Sequence, residues 1–250
     1  MKKNKNLNKI WTNILAIILV SISFSCTDLD EDPGRTQLGP DALTSVPALN
    51  NLVTGTYRSM FEASKWSDYW LVSYGGDDVT THSGLNKLGF RESDWRDQSH
   101  TSDRTLMAYQ QSYVVIANTN VAINAQDAIQ GDEGLKKILM GEMYFLRALN
   151  YLHLTRTFGR VPIVLDPSDT EPDTKAEFID IYQLIESDLL KAEELLPQSY
   201  PGVAVIGARP SKGAAKAFLA RLYMHWAGYP IKDNSKYAMA ATKAGEVING

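Results

Sequence analysis

From Leu135 onward the apolar residues fall into two stripes. Leu135, Ile138, Leu139, Phe145, Leu146, Leu149 and Leu152 keep the i, i+3, i+4, i+7 spacing of one helix face. Met140, Met143, Tyr144, Ala148, Tyr151, Leu154 and Phe158 occupy the other side. The spacing predicts one long helix that stops at Gly159 and leaves through an extended Val161-Pro162. A helix apolar on two faces is packed between neighbours rather than laid on a surface. Glu142 and Arg147 lie inside this apolar stretch. A buried charge is costly unless paired, so each needs a partner, and the pair is expected to be a structural ion pair, not a catalytic one.

The flanking pattern predicts more helices. Asp41 to Ser64 reads as the first, with Thr44 or Ser45 as cap, Pro47 in its first turn, and Val46, Leu49, Leu52, Val53, Tyr57, Met60 and Phe61 as its apolar face. Arg104 to Ile129 is the next, and Gly131 to Gly134 separates it from the central helix. Thr174-x-x-Glu177 reads as a capping box before Phe178, Ile181, Tyr182, Ile185, Leu189, Ala192 and Leu196, with Pro197 as the stop. An alanine-rich helix over Ser211 to Gly228 and an amphipathic one over Tyr237 to Ile248 follow. Period-2 alternation is nearly absent. The fold class is mostly α, a tetratricopeptide-like helical array with long irregular loops. Lys65 to Thr101 breaks the helical pattern, and a long irregular segment in a helical chain is more often functional than connecting.

The N-terminus is of another kind. Lys2, Lys3, Lys5 and Lys9 precede an apolar Ile14 to Val20 and small residues to Ser25, with no acid before Asp28. The apolar run is shorter than the roughly 20 residues of a membrane span and reads as a signal peptide, residues 1–25. Cys26, the one cysteine of the chain, follows directly. It cannot form an intramolecular disulfide and is expected to be the acylated cysteine of a lipoprotein. Residues 26–40 form an acidic tether through Asp28, Asp30, Glu31 and Asp32. Without residues 1–25 the 25 basic and 29 acidic residues become 21 and 29, a net charge of −8. That balance holds no basic patch of the kind nucleic acid demands.

Three ordered blocks carry a family resemblance. Glu142, Phe145, Leu146, Arg147, Ala148, Tyr151, Leu154, Phe158, Gly159, Val161 and Pro162 form the first. Ile181-Tyr182 through Asp188-Leu189 to Glu194-Leu195-Leu196-Pro197 form the second, and Arg209-Pro210-Ser211-Lys212-Gly213-Ala214-Ala215 through Leu219 to Tyr223 the third. Together they resemble the SusD/RagB family of surface nutrient-binding lipoproteins; Tyr113, Ile116 and Asn120 are similar to its pattern too. The resemblance implies a protein lipid-anchored at the outer membrane that binds a nutrient such as an oligosaccharide. It implies a SusC-like TonB-dependent transporter as partner, and it makes the acidic tether similar to a surface-export signal. Residues 41–250 then correspond to the N-terminal portion of such a protein, which is typically about twice as long; a truncated product is the expectation.

The candidate chemistry favours binding. His82, His100, His153 and His225 show no metal-ligand spacing, and there is no nucleophile elbow, phosphate loop or cofactor motif. Asp77 and Asp78 are adjacent and do not face each other across a substrate as glycosidase carboxylates must. Trp66, Tyr69, Trp70 and Trp95 offer flat apolar faces with polar tips, and Asp77 and Asp78 can accept from sugar hydroxyls. These six residues are the expected ligand site, on a non-enzymatic protein. An adaptor that binds a protein partner through its helical repeats is the other reading, and a glycoside hydrolase the weakest.

Overall fold

The computed structural model describes residues 43–66, 76–77, 79–97, 99, 102–166, 174–200 and 208–249, with backbone alone at 63–66 and 103. Its helices are α1 (Val46–Trp66), α2 (Leu88–Asp94, preceded by a 3₁₀ turn at Leu85–Lys87), α3 (Asp103–Asn124), α4 (Glu133–Phe158), α5 (Phe178–Leu195), α6 (Lys212–Ala227) and α7 (Lys236–Ile248). Among the described residues there is no strand beyond an isolated parallel bridge between Ser45 and Gln130. The chain is mostly α-helical. From α3 onward each long helix packs on the next, and α1 packs on α3 and α4.

Helix α4 is the axis of the array, and its ends follow from local chemistry. Asp132 accepts a hydrogen bond from the Leu135 N–H at 2.9 Å, satisfying one of the orphan donors of the first turn. The helix stops at Gly159, which sits at φ 77°, a conformation that side chains resist. Two cores meet along α4. Its first half places Leu139, Met140, Met143 and Leu146 against Leu49 and Val53 of α1 and against Ile129. Its second half packs Ala148, Tyr151 and Leu152 with Ile181, Ile185 and Leu189 of α5 and Leu219 and Leu222 of α6. Each such aliphatic side chain contributes about 1.5–3 kcal/mol when fully buried. Gly141 lets α4 and α5 approach, since a Cβ there would lie 3.0 Å from Leu195 Cβ.

The segment after Gly159 has no sheet partner, so side chains satisfy its backbone. Tyr113 donates to the Pro162 carbonyl at 2.7 Å and Asn120 to the Val164 carbonyl at 2.8 Å. The Tyr151 hydroxyl donates to the Val164 carbonyl at 3.0 Å and accepts from its N–H at 2.8 Å. Tyr113, Asn120 and Tyr151 are thus backbone staples.

Several expected boundaries shift. Helix α1 begins at Val46 rather than Asp41, with Pro47 as its second residue and the Ser45 hydroxyl accepting from the Ala48 N–H at 3.4 Å. Helix α3 ends at Asn124, five residues before Ile129 (129 minus 124), because Ile129 turns back to join the first core. Thr174 and Glu177 form no capping box: Glu177 itself is the N-cap of α5, and its carboxylate pairs with Arg160. Lys65–Thr101 is not irregular throughout, since α1 reaches Trp66 and α2 lies inside it.

Candidate functional site

The described part of the expected ligand segment is a small platform over residues 79–97, held by side chains rather than by a sheet. Asp94, at the end of α2, accepts from the Thr80 hydroxyl, the Thr81 hydroxyl and the Thr81 N–H, each at 2.9 Å. The Thr81 N–H, then the hydroxyl of Thr80, holds the Asp94 carboxyl below the usual carboxylate range. Arg91 donates to the Gly84 carbonyl at 3.1 Å, closing the 84–91 turn. Phe90 is buried, with the Arg104 guanidinium of α3 4.9 Å from its ring centre. Gly89 makes that docking possible, because a Cβ there would meet Arg104 Cγ at 2.7 Å.

On this platform Trp95 is 66% exposed, and the Arg91 guanidinium lies 5.5 Å from its ring centre. A ring backed by a cation on one side leaves its other face open to a ligand. Leu85 and Leu88 are exposed as well and are spaced three and seven residues along from one another and from Trp95. Sequence reasoning missed both, since two leucines in a polar stretch carry no period of their own. Asp77 is exposed and makes no ion pair among the described residues. Tyr69, Trp70, Asp78 and the side chain of Trp66 lie outside the described residues, as does Cys26.

Glu142 and Arg147 do not pair with one another. Five residues apart on a helix, they point about 140° from each other, and each enters its own network. Arg147 donates through Nε to Asp188 at 2.8 Å, through Nη2 to the other Asp188 oxygen at 2.7 Å, and through Nη1 to Asn120 at 2.9 Å. The two side chains are 8% and 3% exposed. Burial is the largest influence on both. For Arg147 the contact with Asp188 overcomes it and raises the guanidinium pKa; for Asp188 burial wins and the carboxyl is pushed up. Desolvation therefore offsets much of the attraction, as expected for a buried pair.

Glu142 is completely buried and accepts from Tyr57 at 2.7 Å, Arg209 at 3.0 Å and Tyr200 at 3.2 Å. Burial, then the Glu142 charge, pushes both tyrosine hydroxyls far up. This network ties α1 and α4 to Tyr200 and Arg209. No cluster of His, Cys, Asp or Glu among the described residues could hold a metal ion. No helix among them is long and apolar enough to cross a membrane.

Residues 29–224 match the SusD-like family model described as starch-binding, associating with the outer membrane. SusD-like protein P2 of Formosa agariphila is 28% identical over 94% of this chain and 46% of its own length. A SusD superfamily protein from Parabacteroides distasonis is 28% identical at a TM-score of 0.70, over 81% of this chain and 44% of that one. A laminarin-binding SusD-like protein shares the fold at a TM-score of 0.66 and 22% identity, over 78% of this chain and 42% of its own. The chain thus spans less than half the length of these relatives. With the match running from Leu29 through most of α6, the chain belongs to the SusD-like family of starch-binding proteins associated with the outer membrane.

Proposed function

We propose that this chain captures an oligosaccharide without altering it and passes it to a SusC-like TonB-dependent transporter, while acylated Cys26 holds it to the outer membrane. The family match carries the reading. The binding of laminarin by a protein of the same fold agrees with it. The ligand platform is Lys65–Thr101, with Trp66, Trp70 and Trp95 as stacking surfaces, Tyr69 beside them, and Asp77 and Asp78 as hydroxyl acceptors. Stacking suits a neutral sugar, because each ring presents an apolar C–H face to an aromatic and keeps its hydroxyls free for polar groups. A rigid helical scaffold with a loop-borne aromatic is the arrangement in which such recognition is usually found.

Equilibrium binding to a panel of neutral β- and α-glucan oligosaccharides tests the proposal, with chromatography of the sugar recovered afterwards. Saturable binding with the sugar recovered intact is expected. Shortened products would make the protein a hydrolase. No binding to any sugar, together with stable capture of a protein partner, would favour the helical adaptor.

A further inference from the structure

The platform turns at Gly84, and both backbone groups of that residue are taken. Its N–H donates to His82 Nδ1 at 3.0 Å. Its carbonyl accepts from the Lys87 N–H at 3.0 Å and from Arg91 Nη2 at 3.1 Å. A side chain that accepts from the N–H two residues on is usually that of asparagine or aspartate, through Oδ1. Here a histidine makes the bond. An imidazole that accepts at Nδ1 carries its proton on Nε2, so the bond that shapes the turn also fixes a donor on the far edge of the ring. His82 and Asn86 are both exposed. They close on the same side of Gly84, where a Cβ would lie 3.0 Å from Asn86 Oδ1 and 3.2 Å from His82 Nδ1. The glycine leaves that space to the imidazole and the amide.

Two contacts tie this turn to Trp95. Thr81, just before His82, gives its N–H and its hydroxyl to Asp94, just before Trp95, each at 2.9 Å. Arg91 holds the Gly84 carbonyl and lies 5.5 Å from the Trp95 ring centre. Arg91 and Asp94, the charges that build the turn, are thus engaged within it. Beside them stand neutral groups: the rings of Trp95 and His82, the amide of Asn86, and Leu85 and Leu88 at 93% and 56% exposed. Exposed apolar residues rimmed by polar ones mark a binding surface.

We propose that His82 and Asn86 are the hydroxyl-reading pair of the Trp95 site, with His82 Nε2–H donating to one sugar oxygen and the Asn86 amide bonding a second. The proposal rests on the saccharide-binding reading above and adds the residues that make the site selective. Stacking on a tryptophan is tolerant, since many sugars present an apolar C–H face. A donor fixed in direction and an amide beside it accept only a sugar whose oxygens fall opposite both.

The His82→Asn variant separates the two edges of the imidazole. Asparagine puts Oδ1 where histidine has Nδ1, so the turn is kept and the Nε2 donor alone is removed. Isothermal titration of the whole chain with laminaritriose and with maltotriose tests the pair on wild type, His82→Asn, Asn86→Ala, their double variant and Trp95→Ala. For the better-bound sugar, each of the first two variants should lose about threefold in affinity and the double variant about tenfold, as for ordinary hydrogen bonds, with the Tm unmoved. In the wild type, NOEs from the His82 ring protons to the bound sugar are expected, a signal that a turn-building role does not produce. A His82→Asn variant that binds as wild type does, or the absence of those NOEs at saturation, makes the histidine a turn-former only and overturns the pair. Equal affinity in wild type and double variant, with Trp95→Ala weakened, overturns the pair and leaves the platform standing. No binding of either sugar by the wild type overturns the pair and the saccharide platform together.

Discussion

Replacing Arg147 by Ala should be among the most damaging single changes in this chain. Asp188 is 2% exposed and holds both its oxygens to the Arg147 guanidinium, at 2.8 and 2.7 Å. With Arg147 gone the carboxylate has no counter-ion in the core, and Asn120 loses the donor to its side-chain oxygen at 2.9 Å. Breaking one side of a buried pair costs about 3–5 kcal/mol. A domain of this size shifts its Tm by about 2–4 °C per kcal/mol, so a fall of roughly 6–20 °C is expected. Calorimetric melts of wild type, Arg147→Ala, Asp188→Leu and the Arg147→Met/Asp188→Leu double variant close the argument. The double variant should recover most of the loss, because an apolar pair of similar volume carries no desolvation cost. A single variant within 1–2 °C of wild type, or a double variant no better than the worse single, refutes the reasoning.

Other outcomes follow from the same geometry. Glu142→Gln keeps the shape but removes the charge accepted by Tyr57, Tyr200 and Arg209; a loss of about 2 kcal/mol, typical of a hydrogen bond to a charged group, should appear in denaturant melts, and an unchanged midpoint would refute it. His153 is held at about 4 in the fold against 6.5 for the unperturbed group, by burial first and then by Arg156 and Arg221. Its contribution to stability is full above about pH 6.5 and is lost as pH falls towards 4. His153→Gln should therefore melt with a shallower pH dependence than wild type between pH 7 and 4.5; parallel curves would contradict this. Cys26→Ala should move the protein from the membrane fraction to the soluble one, and retention in the membrane would place the anchor elsewhere.

Much of this architecture was legible from apolar spacing, because burial on two sides leaves two stripes. Helix α4 reads directly from Leu135 to Phe158, and its stop at Gly159 is written in the one residue that takes φ 77° without strain. The capping signal at Thr174 misled because Glu177 is drawn to Arg160 instead. Helix α2 was invisible because its seven residues make less than two apolar turns and its stability comes from Asp94, Arg91 and Arg104. That Glu142 and Arg147 need partners follows from their setting. Which partners they take does not, since Asp188 and Arg209 lie 41 and 67 residues further along. Trp95 was recognisable as an aromatic among turn residues.

The central claim is that the exposed face of Trp95 helps to hold a neutral sugar. Isothermal titration of wild type and Trp95→Ala with a laminarin oligosaccharide tests it most directly, since Trp95 is 66% exposed and its loss leaves the fold intact. A stacked ring is worth about 1 kcal/mol, so the affinity should fall about fivefold, with the Tm unchanged. Equal affinities in the two proteins would contradict the account.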